Sequence, residues 1–467
     1  MSNEHLSSDE TPLYLRKRYL IVFLAFLGYV NLYTMRVDLS VAIVALTENR
    51  SVSNEDGSIK YEQYFDWNSK EKGVALSAFF YGYVCTQFIG GYIASKFSGK
   101  LVFGSGILGS SICTMCTPIL CYQGIYYLYI VRLIVGIFSG LSFPAVNAVY
   151  SKWSTPMERS RMAAFGISGI YLGAVIAMLL SGWLAQYYTW EWIFYTFGIA
   201  GFVWSCIWFL IVRESPSLDK FMLESERDFI MNNLNDQELS SSKKIPWISI
   251  FTSMPVYAVS IAHFAYSWGY YTLLTQLPSY MRDIVDFDLE KSGYVSAIPY
   301  LVLTILLLPS GYLADWFQIK NLLSTSQVRK FFNNTSFFGQ MVFLLLAGYF
   351  TNSIQIVTCI TLSIGLGAFS MSGFLANTLD IAPQYSSIVL GFSNSIATLP
   401  GLISPIITGY IVQTPSDSEY KIVFFIASGI YIIGIFFYAI YATGKVQPWA
   451  LPSMSEMQAV QLQEERK

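Results

Sequence analysis

Residues 19–46 read YLIVFLAFLGYVNLYTMRVDLSVAIVAL. Only Arg36 and Asp38 carry charge in this run. It exceeds the roughly 20 residues that a helix needs to cross a hydrocarbon core. A guanidinium at the centre of such a helix costs roughly 3 kcal/mol on insertion scales, so it normally faces a wet cavity or a partner and commonly marks a solute path. A second arginine, Arg132, lies in the apolar run 126–150. Two fixed cations among membrane helices point first to an anion as the species moved.

The same length criterion, carried along the chain, predicts twelve spans: 19–46, 73–95, 101–121, 126–150, 162–187, 193–212, 255–281, 292–314, 331–350, 355–379, 387–413 and 421–441. The reading is an all-α membrane protein of twelve transmembrane helices in two six-helix, pseudo-symmetric halves. Its parts are a cytoplasmic tail 1–18, an N-terminal half 19–212, a cytoplasmic connector 213–254, a C-terminal half 255–441 and a cytoplasmic tail 442–467. Internal repetition supports the two halves. GYIASKF begins at Gly91 and GYLADWF at Gly311, 220 residues later; GWLAQ begins at Gly182 and GYIVQ at Gly409, 227 later. Duplicated halves with a midplane site between them are a transporter architecture, and the halves rock to alternate access.

Composition agrees. The 467 residues are 54% hydrophobic and 12% charged, against about 25% charged in soluble domains. Mean hydropathy is +0.47. A net charge of −2 gives no reason to expect a nucleic-acid partner. The six cysteines fall almost entirely in apolar runs, which favours packing over disulfides. Cys113 and Cys116 form a CxxC, but it lies mid-span without a second pair, so no metal site is expected. No Walker or HExxH motif is present, so neither ATP hydrolysis nor metal-enzyme chemistry is expected. No cofactor is implied beyond a coupling ion, H+ or Na+. No cleavable signal is evident, since 1–18 is polar and the first run is too long for a signal core. Asp9–Leu15 only partly resembles an acidic dileucine sorting signal.

Lysine and arginine set the orientation. Arg16, Lys17, Arg18, Lys96, Lys100, Lys152, Arg159 and Arg161 fall on the side of the N-terminus, with the connector's basic residues. Fewer, among them Arg50, Lys70, Arg282 and Lys421, fall on the other side. Both termini are therefore expected in the cytoplasm, and Asn49-Arg50-Ser51 is a glycosylation candidate in an outward loop. Asn333 and Asn334 also lie in sequons, but at the inner membrane edge.

Residues three or four apart share a helix face. On the first span Tyr33, Arg36 and Ser40 form one polar stripe and Asn31, Thr34 and Asp38 another, so Arg36 and Asp38 diverge. Arg36 is about 15 Å and Arg132 about 9 Å from the outer ends of their spans. One turn and two turns beyond Arg132 come Gly136 and Ser139. Either arginine can meet an anion; the structural alternatives are backbone carbonyls for Arg36 and an ion pair for Arg132. Tyr266 and Tyr270 share a face of the seventh span and can donate to a solute, while His263 reads as packing. Tyr81, in the small-residue run 80–91, is a further cavity candidate. Prolines 144, 299, 309, 400 and 405 predict bent helices.

Several segments together resemble solute carrier family seventeen, in its sialin-like and sodium-phosphate cotransporter-like branches, within the major facilitator superfamily. They are Met35–Ala42, Phe79–Tyr83 with Gly90–Ser95, Ser151–Arg161, Tyr271–Thr275, Leu379–Pro383 and Gln447–Trp449. The resemblance implies a cavity lined by spans 1, 4, 7 and 10, with Arg36, Arg132 and Tyr33 matching family positions and Asn377 a candidate on the tenth. It also shows departures. Vesicular glutamate carriers of that family have arginine at the place of Tyr266 and histidine at that of Leu76. Sialin-like members have glutamates where this chain has Val135 and Ser139, and Asp38 stands where asparagine is common. Asp38, or Glu48 at the end of the first span, is therefore the cation-coupling candidate.

The expected activity is symport of a small organic carboxylate, such as an acidic sugar, coupled to protons or sodium. The substrate-binding candidates are Arg36, Arg132, Tyr33, Tyr81, Tyr266, Ser139 and Asn377. Sodium-dependent phosphate cotransport is the alternative, and an anion channel or a non-transporting sensor is the rival from another class. A monomer in a lysosomal, vesicular or plasma membrane is expected.

Overall fold

The computed structural model describes residues 16–48, 50–53, 59–96, 98–238 and 245–451. Asn49 and the segment Asp9–Leu15 lie outside the described residues. In chain order come α1 (Lys17–Thr47), a hairpin of β1 (Arg50–Ser53) and β2 (Ile59–Glu62), α2 (Ser69–Lys96) and α3 (Gly99–Cys121). The fourth span is split into α4 (Ile125–Gly140) and α5 (Ser142–Trp153), and α6 (Pro156–Tyr187) and α7 (Glu191–Ile211) complete the first half. The connector carries α8 (Glu224–Glu238) and α9 (Trp247–Thr252). The second half holds α10 (Met254–Asp283), α11 (Leu289–Ile319), α12 (Thr325–Tyr349) and α13 (Ser353–Ser370), which continues through a π turn (Met371–Leu375) into α14 (Ala376–Ile381). It ends with α15 (Ser386–Ile411) and α16 (Asp417–Tyr441).

These are the twelve predicted spans, longer by a turn or less at most ends. Among the described residues, nine helical stretches are long and apolar enough to cross a membrane on those grounds alone. The other three, α2, α10 and α12, are as long but more polar. On α12, for example, Asn333 and Gln340 are buried. Outward-facing apolar side chains such as Leu308 and Phe436, 73% and 65% exposed, suit a lipid surface. Pro144 lies just past the break at Leu141, whereas Pro299 and Pro309 in α11 and Pro400 and Pro405 in α15 sit inside unbroken helices. The antiparallel hairpin pairs Arg50 with Glu62 and was not anticipated from sequence.

The two halves repeat the same packing. In the first, α1 lies on α6, α2 on α4 and α3 on α7; in the second, α10 lies on α15, α11 on α13 and α12 on α16. Between halves α2 meets α15 and α6 meets α11, while α1 and α10 face each other on the pseudo-axis. The connector is fastened to the first half. Glu226, fully buried, accepts from the backbone N–H groups of Lys17 (2.9 Å) and Arg18 (3.1 Å), two donors that the first turn of a helix leaves free. Lys17 pairs with Asp219, and Arg18 with Glu158 at 3.2 Å.

Candidate functional site

The two polar stripes of α1 face different neighbours. Asp38 points to α4, where Arg132 Nη1 donates to its Oδ1 at 2.9 Å. The same Nη1 donates to the Met35 carbonyl at 3.1 Å, and Nη2 to that of Arg36 at 3.0 Å. Both side chains are buried, Asp38 completely. Arg132 is thus clasped to the middle of α1 by one carboxylate and two carbonyls, the structural alternative foreseen for it. Asp38 does not stand in an open vestibule; its Oδ1 also accepts from the Leu39 amide at 2.6 Å, and Oδ2 makes no hydrogen bond.

Arg36 points the other way, into the interface between halves. Five rings surround its guanidinium: Tyr33 at 5.0 Å, Phe79 at 4.9 Å, Phe80 at 4.6 Å, Tyr83 at 5.2 Å and, from the opposite half, Tyr271 at 4.8 Å. A desolvated cation–π contact is worth on the order of 1–2 kcal/mol. Several together offset the roughly 3 kcal/mol of placing arginine at this depth without neutralising it. Nη1 donates to the Tyr33 hydroxyl at 3.1 Å. Nε and Nη2 are buried and make no hydrogen bond. These two nitrogens form one edge of the guanidinium plane, the edge that grips a carboxylate side-on with two parallel bonds.

The rings continue across the interface. Tyr271 touches Tyr270 (5.5 Å), which contacts Tyr171 (6.3 Å) and Tyr300 (5.6 Å) and stacks on Tyr266 (5.8 Å); Tyr266 in turn meets Phe374 in the π turn (5.9 Å). The hydroxyls of Tyr270 and Tyr300 are buried and make no hydrogen bond, whereas that of Tyr266 lies against the Tyr171 hydroxyl. A buried polar group without a partner costs about 1–3 kcal/mol, so a set of them beside an unpaired cation is a set of donors awaiting an acceptor.

Of the residues singled out from sequence, the structure brings together Arg36, Tyr33 and Tyr266, with Arg132 and Asp38 directly behind α1. Four others do not join them. Tyr81 turns out of the bundle, 48% exposed, because Gly82 lies against the Leu133 carbonyl of α4 and fixes the rotation of α2. Ser139 meets Ser110 of α3 at 3.0 Å. Asn377 donates to Tyr438 of α16 at 3.0 Å, inside the second half. Glu48 pairs with Arg282 at the end of the bundle far from the termini. His263 hydrogen-bonds Ser393 at 2.7 Å, a packing role. Sequence reasoning missed Phe79, Phe80, Tyr83 and Tyr271; the i, i+4 pair Phe79 and Tyr83 was the legible signal.

Comparison with known proteins decides the family. The profile of the Major Facilitator Superfamily matches residues 19–405. Human sialin (Homo sapiens) is 37% identical over 460 residues, covering 95% of this chain and 93% of its own length. The chain is a member of the major facilitator superfamily, in solute carrier family seventeen. Vesicular glutamate transporter 2 of Homo sapiens is 39% identical over 448 residues, 95% of this solute carrier and 77% of that one. A bacterial homolog of the human lysosomal transporter Spinster, inward-facing and unoccupied, superposes with a TM-score of 0.71 at 13% identity, covering 92% of this chain and 99% of that one. A D-xylose–proton symporter gives 0.69 at 14% identity, again covering 92% and 99%. This solute carrier is therefore a multi-pass membrane transporter and not an enzyme.

Proposed function

We propose that this transporter carries a small organic carboxylate by alternating access, with Arg36 as the anchor of the anion. The observation that carries the reading is the free Nε/Nη2 edge of a buried, carboxylate-less guanidinium at the interface between halves. Rings on both sides favour a cargo with an organic body over bare phosphate, and the tyrosine hydroxyls of α10 and α11 suit its remaining oxygens. Arg132 has a different part. It neutralises Asp38, and among the described residues Asp38 is the one carboxylate at mid-membrane depth. A proton taken up by Asp38 would loosen the clasp between α4 and α1 directly behind Arg36, so proton rather than sodium coupling is proposed. Vesicular or lysosomal membrane, cytoplasmic termini and a monomeric unit complete the proposal.

Uptake by proteoliposomes tests it, with sialic acid, glutamate, urate and phosphate offered under separate proton and sodium gradients. Proton-driven uptake of a carboxylate, lost in Arg36→Gln, is expected. Sodium-driven phosphate uptake would replace the reading with the phosphate alternative. Currents far above carrier turnover would indicate a channel, and binding without flux a sensor.

A further inference from the structure

Along α3, Ser110, Thr114, Thr117 and Cys121 fall at i, i+4, i+7 and i+11, so they share one face, and all are fully buried inside the first half. Toward the start of the helix this stripe is tied to α4: Ser110 Oγ meets Ser139 Oγ at 3.0 Å and the Val135 carbonyl at 3.4 Å. Further on it is not. Thr114 Oγ1 makes no hydrogen bond, and Pro118, four residues later, has no N–H to give to the Thr114 carbonyl. Thr117 Oγ1 donates to the Cys113 carbonyl at 3.0 Å, and its oxygen can still accept.

The unpaired groups of Thr114 stand level with Asp38. Helices α1 and α3 run in the same direction, and the Ser111 hydroxyl lies 3.6 Å from the Met35 sulfur. Three residues further along each helix, on the same faces, come Thr114 and Asp38. Asp38 Oδ2 and Arg132 Nε are also buried without a hydrogen bond. Polar groups from three helices thus converge at one level, enough to hold an internal water, which typically makes about three hydrogen bonds. Outward along the stripe, Cys121 lies about 10 Å beyond Thr114 at 1.5 Å per residue. It is within electrostatic reach of both Arg132 and Glu191. Glu191, at the start of α7, accepts from the Tyr122 hydroxyl at 2.6 Å through Oε1. Its Oε2 is buried and makes no hydrogen bond, as is Nε1 of the neighbouring Trp190. Tyr122 is 58% exposed at the far surface. Arg132 is the charged group that faces Asp38, and Cys121 and Glu191 are the titratable groups along this side. Tyr83 of α2, Tyr171 of α6 and Tyr271 of α10 act on Tyr33, on the other side of α1.

We infer that this face of α3 is a proton path of its own, joining Asp38 to the far surface through Thr114, Thr117, Cys121 and Glu191 with internal waters between them. It runs behind α1, separate from the interface between halves where Arg36 stands, and it rests on the proposed coupling at Asp38. One proton leaves the far-side solution at Glu191. Each hydroxyl, thiol or water on the way accepts a proton on a lone pair and releases its own, so each is regenerated. The last O–H bond forms on Asp38 Oδ2, and the carboxylate loses its charge. Such a chain sets how fast Asp38 fills, not how tightly it holds the proton.

Rapid-mixing infrared spectroscopy of the full-length protein in nanodiscs reads the path without a substrate. After an acid jump the carbonyl band of protonated Asp38 appears, identified by its loss in Asp38→Asn. Thr114→Val removes the hydroxyl at nearly constant shape; the band is expected to rise more than about tenfold more slowly, with the same midpoint pH. Thr114→Ser should restore the rate, and Glu191→Gln should slow it as Thr114→Val does. Ser110→Ala, on the same face but tied to α4, should leave the rate unchanged. An unchanged rate in Thr114→Val, a shifted midpoint at unchanged rate, or equal slowing in Ser110→Ala would overturn the path alone. Failure of any Asp38 band to appear in the wild-type protein across the pH range would overturn the coupling reading, and the path with it.

Discussion

Arg36 and Arg132 are the same residue type at similar depth, yet their surroundings differ, and the proposed function gives them opposite tasks. Arg132 has its charge answered by Asp38 and both terminal nitrogens occupied, so it holds helices. Arg36 has rings for walls and a two-nitrogen edge without a hydrogen bond, which is why it is proposed as the anchor. Arg36→Lys keeps the charge but loses the fork, and uptake should fall by about a hundredfold or more, nearly as far as in Arg36→Gln, because a point charge cannot make the paired bonds. Initial-rate uptake by proteoliposomes of known protein content measures this; near-normal rates in Arg36→Lys would remove the fork from the argument. Asp38→Asn strands the Arg132 charge. Breaking one partner of a buried pair costs about 3–5 kcal/mol, whereas removing both is far milder. The melting temperature in detergent should therefore fall sharply in Asp38→Asn and recover largely in Asp38→Asn/Arg132→Gln.

At the scale of elements, α1 organises the first half: it packs along α6, takes the Arg132 clasp and presents Arg36 to α10. Its first turn depends on a residue about two hundred positions away, Glu226, which accepts from two N–H groups. A carboxylate at a helix N-terminus satisfies orphan donors and meets the positive end of the macrodipole. Glu226→Ala should cost about 1–2 kcal/mol by the loss of that cap, and Glu226→Gln less. Thermal unfolding monitored by intrinsic fluorescence would show the order; equal melting temperatures for the three proteins would contradict it. The sequence showed where α2 ran but not its rotation. Tyr81 and Tyr83 look alike in the run Phe80–Gly91, and only the close approach of Gly82 to α4 sends the first to the lipid side and the second to Arg36.

At the scale of the whole molecule, the pseudo-twofold places Arg36 from one half against Tyr271 from the other, so rocking of the halves would change the surroundings of the proposed anion anchor. If Asp38 takes the coupled proton, Asp38→Asn should still exchange labelled for unlabelled cargo across the membrane. It should no longer accumulate cargo against a gradient when the outside is acidified. Retained proton-driven accumulation would remove Asp38 from coupling.

The sequence alone determined that this is a membrane protein of twelve helices in duplicated halves, with two arginines inside its apolar spans. Length, hydropathy and repeat offset are local or periodic quantities, and they survive in one dimension. The different surroundings of the two arginines and the separation of Tyr81, Ser139 and Asn377 from the rings around Arg36 were decided only by tertiary structure. Which way a helix is rotated, and which atoms fill the space beside a charge, depends on neighbours distant in the chain, and burial without a partner becomes visible only once those neighbours are in place.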